Sequence, residues 1–320
     1  MTATIKTTNL QHGSSGSANI VLGSDGSTTI ADGNITASAV TTALLNGGQL
    51  AGFRNKIIDG GFTINQRGYS SGTTLSAGSY GHDRWKAGAS GGDYSFTQLA
   101  SNTTITIASG KTLIQVIEDK NVEGGSYVLS WTGTAQARYG VDSATPSGSY
   151  ASSPVTISGQ SAGTVMSVEF NEGTLGSVQL EIGDTATTFE QRGFGTELQL
   201  CQRYYEKSYD IGTPAGSTAG NITAGLVGGT HYYSNVTPCP WSVVFKVKKR
   251  ATPTIQYWDR DGNLSKHTTI AYSSTITDNV DGGANMGPLG IGEHGFLWYV
   301  GDSAGGQKFS FIHYAASAEL

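Results

Sequence analysis

Residues 178–205 place two unlike periodicities side by side with no linker between them. In Val178-Gln-Leu-Glu-Ile182, the apolar Val178, Leu180 and Ile182 alternate with Gln179 and Glu181, the period of a half-buried strand. Further on, Thr196 and Gln199 have the spacing of a capping box. Leu198, Cys201 and Tyr205 then recur on one helical face, with Leu200 and Tyr204 as a second stripe. A β domain is therefore expected to close near residue 192 and to hand the chain over through a short helix at 197–207. Its apolar stripes leave too little polar surface for a lone exposed helix, so these five residues are expected to pack between domains or between subunits.

Charged residues make up only 13% of the chain, about half the usual share of roughly 25%, while 46 glycines are about twice the average. With 37% hydrophobic residues this describes a turn-rich, all-β chain rather than a disordered one. A length of 320 residues allows two domains and an appendage. The net charge of −5 offers no basic footprint for nucleic acid, and Lys246-Val-Lys-Lys-Arg250 reads as a solvated strand edge. No membrane insertion is expected, since no stretch approaches the roughly 20 apolar residues of a span; residues 1–15 lack the apolar core of a secretion signal. Cys201 and Cys239 read as two free thiols, with a bridge between them left open.

Four regions follow from the spacing. Residues 1–52 form an extended N-terminal segment, with a hairpin at 18–30 around Gly23-Ser-Asp-Gly26 and a helix beginning at Asn34 and stopped by Gly47-Gly48. Neither element can stand alone in water, so the segment is expected to dock on another surface. Residues 53–195 carry short strands at 94–99, 104–108, 112–118, 126–132, 155–158, 165–170 and 177–182, the spacing of a β-sandwich. The helix occupies 196–208. Residues 209–320 form a second, sandwich-like β domain, with strands at 221–227, 231–236, 241–248, 254–258, 267–272, 296–300 and 308–314 and long loops at 212–220 and 277–293.

Several segments carry a resemblance. Gln179-Leu-Glu-Ile-Gly followed by Cys201-Gln-Arg-Tyr-Tyr, the stretch Asn55-Lys-Ile-Ile-Asp-Gly-Gly-Phe-Thr-Ile-Asn-Gln-Arg-Gly, and Asp83-Arg-Trp85 resemble the tail-fibre and tail-adhesin proteins of tailed bacteriophages. So do Phe245-Lys-Val-Lys-Lys-Arg-Ala-Thr-Pro-Thr-Ile and Tyr314-Ala-Ala-Ser-Ala-Glu-Leu320. The resemblance implies that the sandwich is a jelly roll of carbohydrate-binding type and that the protein is a homotrimer in the virion tail. It also implies an N-terminus docked on a baseplate or tail protein, and a distal domain that meets host-surface glycan. It requires no cofactor, though it allows a structural calcium near Asp59 and Glu181.

Among residues that could carry chemistry, Glu118 with Asp119, Glu169 with Glu172, and Glu181 are the carboxylates a glycosidase would need. No metal-ligand spacing joins the six histidines. Asp259-Arg-Asp-Gly-Asn263 resembles the start of a calcium loop but reads more simply as a hairpin turn after a strand ending at Trp258. The 15 tyrosines and five tryptophans say more, because a flat ring with a polar edge suits the apolar face of a sugar. Trp85 and Trp131 are expected in the core. Tyr257, Trp258, Trp298 and Tyr299 are the candidates for stacking on glycan, with Asp259, Asp261 and Asn263 as hydrogen-bonding partners. Two alternatives to an attachment protein stay open: a tail-borne polysaccharide depolymerase, and a virion decoration or head-fibre protein.

Overall fold

The computed structural model describes residues 9–10, 20–22, 28–30, 52–218, 225–233, 241–271, 276–280, 286–300 and 306–320. Met1–Leu45 and Asn46–Leu320 are separate compact units. In the first, β1 (Asn9–Leu10), β2 (Ile20–Leu22) and β3 (Thr28–Ile30) form an antiparallel sheet in that order. The expected hairpin strands pair with Ile20 opposite Ile30 and Leu22 opposite Thr28. The two-residue β1 is too short to show any alternation. The helix expected after Asn34 lies outside the described residues.

The second unit opens with β4 (Lys86–Ala87), β5 (Tyr94–Phe96), β6 (Ile105–Ile107), β7 (Leu113–Ile117), β8 (Gly125–Thr132), β9 (Ala137–Gly140) and β10 (Ser147–Ala151). It continues through β11 (Val155–Gln160), β12 (Met166–Phe170) and β13 (Gly173–Ile182). These build two five-stranded antiparallel sheets, in the orders β10-β9-β12-β7-β4 and β11-β8-β13-β6-β5. The pairings nest: β6 with β13, β7 with β12, β8 with β11, and β9 with β10. A chain doubled back on itself in this way, with successive pairs assigned to alternate sheets, is a jelly roll. Alternation fills its core, because Met166, Val168 and Phe170 point inward while Ile117, Gln115 and Leu113 lie opposite them. Trp85 stacks on Phe62 at 4.8 Å, and Trp131 meets Phe170 edge-on at 5.2 Å. Their indole N–H groups donate to the carbonyls of Asp59 and Ala135, so both tryptophans are satisfied core residues.

The opening segment is tied to the far half of β13. Asn55 donates to the Val178 carbonyl and accepts from Leu180 N, while the buried Gln115 side chain bonds both the N–H and the carbonyl of Ile58. Gly60 packs against the same strand, where a Cβ would lie 2.1 Å from the Val178 carbonyl oxygen.

The helix α1 (Phe194–Gln202) starts earlier and ends earlier than its periodicity suggests. Gly193 occupies the N-cap without a side-chain bond, and Thr196 lies inside the first turn, so the expected capping box does not form. Glu197 turns inward instead, accepting from the Asp59 N–H and pairing with Arg192 at 3.2 Å. Residues 205–207 leave the helix because they become β14 (Tyr205–Lys207), which pairs with the last strand, Tyr205 opposite Ser317.

Beyond it lie β15 (Val227–Tyr233), β16 (Trp241–Val244), β17 (Thr254–Trp258), β18 (His267–Ala271), β19 (Ile276–Val280), β20 (Met286–Gly292), β21 (Gly295–Val300) and β22 (Gly306–Ser317). The twelve-residue β22 is the central strand, pairing with β14, β15, β17 and β18. A second sheet, β16-β21-β20, packs over it through Val243, Phe245, Phe296, Trp298, Ile312 and Tyr314. The loop expected at 277–293 is therefore mostly strand, since β19 and β20 run through it. The basic run is solvated only in part: Lys246 and Lys248 are exposed, but Lys249 is fully buried, and its ammonium donates to Glu206 at 2.7 Å and to the carbonyls of Gln202 and Val247.

Candidate functional site

The segments that carried the resemblance converge where the jelly roll meets the distal domain. Arg84, 2% exposed, lies over the Tyr204 ring at 3.7 Å, donates to the Val116 carbonyl and ion-pairs with Glu319. Arg67 lies over the Tyr205 ring at 3.8 Å and reaches the other Glu319 oxygen at 2.9 Å. Asp83 accepts from Gln66, and burial pushes its carboxyl up to about 6. Cys201 and Tyr204 are fully buried against Ile58 and Ile64, with Leu198 and Leu200 packed around them, while Tyr205 joins Tyr209 and Trp258. Cys201 is a free thiol raised well above its ordinary value by burial; Cys239 lies outside the described residues. This seam is packing that fixes the distal domain on the jelly roll.

The structure corrects several of the stacking candidates. Trp298 is fully buried, edge-on to Tyr257 at 4.7 Å, and Trp258 is 7% exposed beneath Tyr209 and Ala215. Alternation places neighbouring rings on opposite faces, but here both faces of β17 are covered, one by the sandwich core and one by residues 209–216. Asp259 is buried as well: its two carboxylate oxygens accept from Asn263 N and Nδ2, both at 2.8 Å. With Gly262 at φ +83°, this is the tight turn expected after β17. Asp261 and Asn263 remain exposed on the turn, and Tyr299 is half-buried on the outer face of β21.

A site that the sequence reading missed lies at the open edge of the distal sandwich. A cavity of about 500 Å³ is lined by Trp241, Ser242, Lys246, Val227, Ser208 and Tyr314. Trp241 stands at the start of β16, half-buried, tilted against Trp298 at 6.0 Å, and its indole N–H has no hydrogen-bond partner. Tyr314 forms the floor; burial and the neighbouring Glu206, to which it donates at 2.8 Å, hold it as a neutral phenol. Among the described strands, β15 pairs only with β22 and β16 only with β21, so both leave an edge open. The Ser208 hydroxyl is engaged by His313 and the Tyr314 N–H, so the Trp241 ring, the Ser242 hydroxyl and strand-edge backbone form the surface that can contact and hydrogen-bond to a polyhydroxylated ring. The signal was available, since Trp241 opens an alternating run directly after Pro240.

The carboxylates are committed elsewhere. Glu118 accepts from Arg203 and Tyr204, Glu169 from Arg138, and Glu172 from Ser109 and Gly110. Asp119 caps its own turn through Lys120 N. Glu181 pairs with Arg54 at 3.3 Å and accepts from Thr187. Asp59 caps a turn through Thr63 and Ile64 with one oxygen; the other has no hydrogen-bond partner, and burial raises its pKa well above the usual range. Asp59 and Glu181 share no hydrogen-bond partner. Among the described residues no group of three or more His, Cys, Asp or Glu is placed to hold a metal ion.

No protein-family model matches the sequence, and no curated protein does. Among solved structures the chain is similar to recombinant discoidin II of Dictyostelium discoideum, at 9% identity over 82% of this chain and 94% of that one, with a TM-score of 0.20. It is likewise similar to wild-type discoidin II of the same organism, at 10% identity over 72% and 82%, with a TM-score of 0.18. At such TM-scores the jelly-roll assignment rests on the nested strand pairing alone. Among the described residues, no helix is long and apolar enough to cross a membrane.

Proposed function

We propose that this chain is a structural attachment protein of a tailed phage, which holds the virion to host-surface polysaccharide through its distal β domain. The open cavity beside Trp241 carries the glycan reading, because it combines an aromatic ring, the Ser242 hydroxyl and unpaired strand edge in one concave site. The phage reading rests on the resemblance of the segments that meet at the seam. In this account residues 1–52 dock on a baseplate or tail protein, and three copies associate through the outer face of the β16-β21-β20 sheet. Val244, Leu289 and Leu297 there are 74%, 52% and 40% exposed, an apolar surface suited to a subunit contact. The protein is read as non-catalytic, since its candidate carboxylates already serve turns and ion pairs. Pre-incubating host cells with the purified full chain should block particle adsorption, and antibody against the chain should label tails in electron micrographs. Adsorption unaffected by excess chain, label confined to heads, or release of reducing ends from host polysaccharide would overturn it.

A further inference from the structure

The charge around the cavity is lopsided. Lys246 lines it and is exposed, and among the described residues no carboxylate lies within ion-pair distance of its ammonium, whose contact is the Lys207 carbonyl at 3.4 Å. Glu206, which accepts from the Lys246 backbone N–H, is fully buried and fully occupied, by the Lys249 ammonium, the Tyr314 hydroxyl and the backbone N–H groups of Lys246 and Val247. Lys207 and Lys249 stand close enough to feel the Lys246 charge. Glu206 neutralises Lys249 and Asp210 lies near Lys207, so it is Lys246 that brings an ammonium without an ion-pair partner to this cavity, on a chain whose net charge is −5. A neutral sugar would leave that ammonium to water, whereas a carboxylate would meet it with a charge-assisted bond.

We propose that the cavity takes an acidic saccharide, with the pyranose ring of a uronate unit against Trp241 and its carboxylate on Lys246. Trp241, with Ser242 beside it, supplies contacts any hexose could use; Lys246 supplies the selection. This rests on the reading of the chain as a glycan-attachment protein and adds the class of sugar.

The test is ligand-observed NMR of the full chain with D-glucuronate, D-glucose and inorganic phosphate, repeated for Lys246→Gln and Trp241→Leu. Lys246 is exposed, so Lys246→Gln should keep the native melting temperature. The expected result is that glucuronate binds about tenfold more tightly than glucose. That preference should vanish in Lys246→Gln, fade between 50 and 500 mM salt as the charges are screened, and both sugars should weaken in Trp241→Leu. Equal binding of glucose and glucuronate, both lost in Trp241→Leu, would overturn the acidic preference and leave glycan attachment standing. Phosphate that displaces glucuronate equally well would reduce the site to a simple anion contact and overturn it too. If neither sugar binds while the chain still coats host cells, the cavity assignment fails separately from the attachment reading.

Discussion

Arg84 and Glu319, 235 residues apart in the chain, form a buried ion pair that closes the seam between the jelly roll and the distal domain. Arg67 shares the same carboxylate, so one glutamate neutralises two arginines that each lie on a tyrosine ring. Removing one partner of a buried pair strands the other without water. Glu319→Gln should therefore cost about 3–5 kcal/mol in urea denaturation. A loss under about 1 kcal/mol would mean that solvent reaches the arginines and the seam is loose.

Trp258 and Asn263 lie at the same hairpin but should respond differently. Trp258→Ala empties a packed site under Tyr209 and should cost about 3–5 kcal/mol. Asn263→Ala removes two bonds to a buried carboxylate and should cost about 1–3 kcal/mol. Thermal melts of the two variants give the comparison; equal and negligible losses would show that the turn does not hold the strand end.

Acid should weaken the fold through its buried histidines. His82 bonds Tyr94 and Gln98, and His313 bonds Ser208 and stacks on Tyr209; burial lowers each to about 4. The unfolded chain takes these protons near pH 6.5 and the folded chain only near 4. The stability is present above pH 6.5 and is lost as pH falls towards 4, by up to about 3 kcal/mol for each group. Asp83, raised to about 6, works in the opposite sense and softens the fall. His313→Gln should lose less stability than the parent between pH 6.5 and 4, and parallel pH curves would show that His313 is solvated.

Leu297 and Val244 test the subunit contact. Leu297→Asp places a charge on the apolar outer face of β21 without touching the sandwich core. Light scattering should show a trimeric mass for the parent and one third of it for the variant, with a folded circular dichroism spectrum. A trimer that survives this substitution would locate the contact elsewhere.

What the sequence showed and what it hid divide along one physical line. The strands at 166–170, 178–182 and 254–258 were legible because apolar and polar residues alternate along each, although both faces of the first are buried and Ile182, expected inside with Val178 and Leu180, is 50% exposed while Gln179 and Glu181 are buried. The end of the helix was not, because Tyr205 pairs with Ser317 far along the chain, and that pairing overrides local helical spacing. β19 and β20 read as loop in the sequence because their Gly, Asn and Asp content is that of loops, while their pairing partners lie in other segments. Alternation said that Trp298 and Tyr299 face opposite ways, as they do, but it could not say that the far side of β17 would also be covered. Trp241 was overlooked because its value as a site comes from an open sandwich edge, which only the assembled sheets create.

The most direct measurement is a microarray of bacterial surface polysaccharides probed with the labelled full chain and with Trp241→Leu, a variant checked for an unchanged melting temperature. The account predicts binding to at least one polysaccharide, and a loss of that signal in Trp241→Leu of about tenfold or more, as expected for removing a stacking ring worth more than about 1.4 kcal/mol. Binding that is undiminished in Trp241→Leu, or no binding to any polysaccharide, would contradict it.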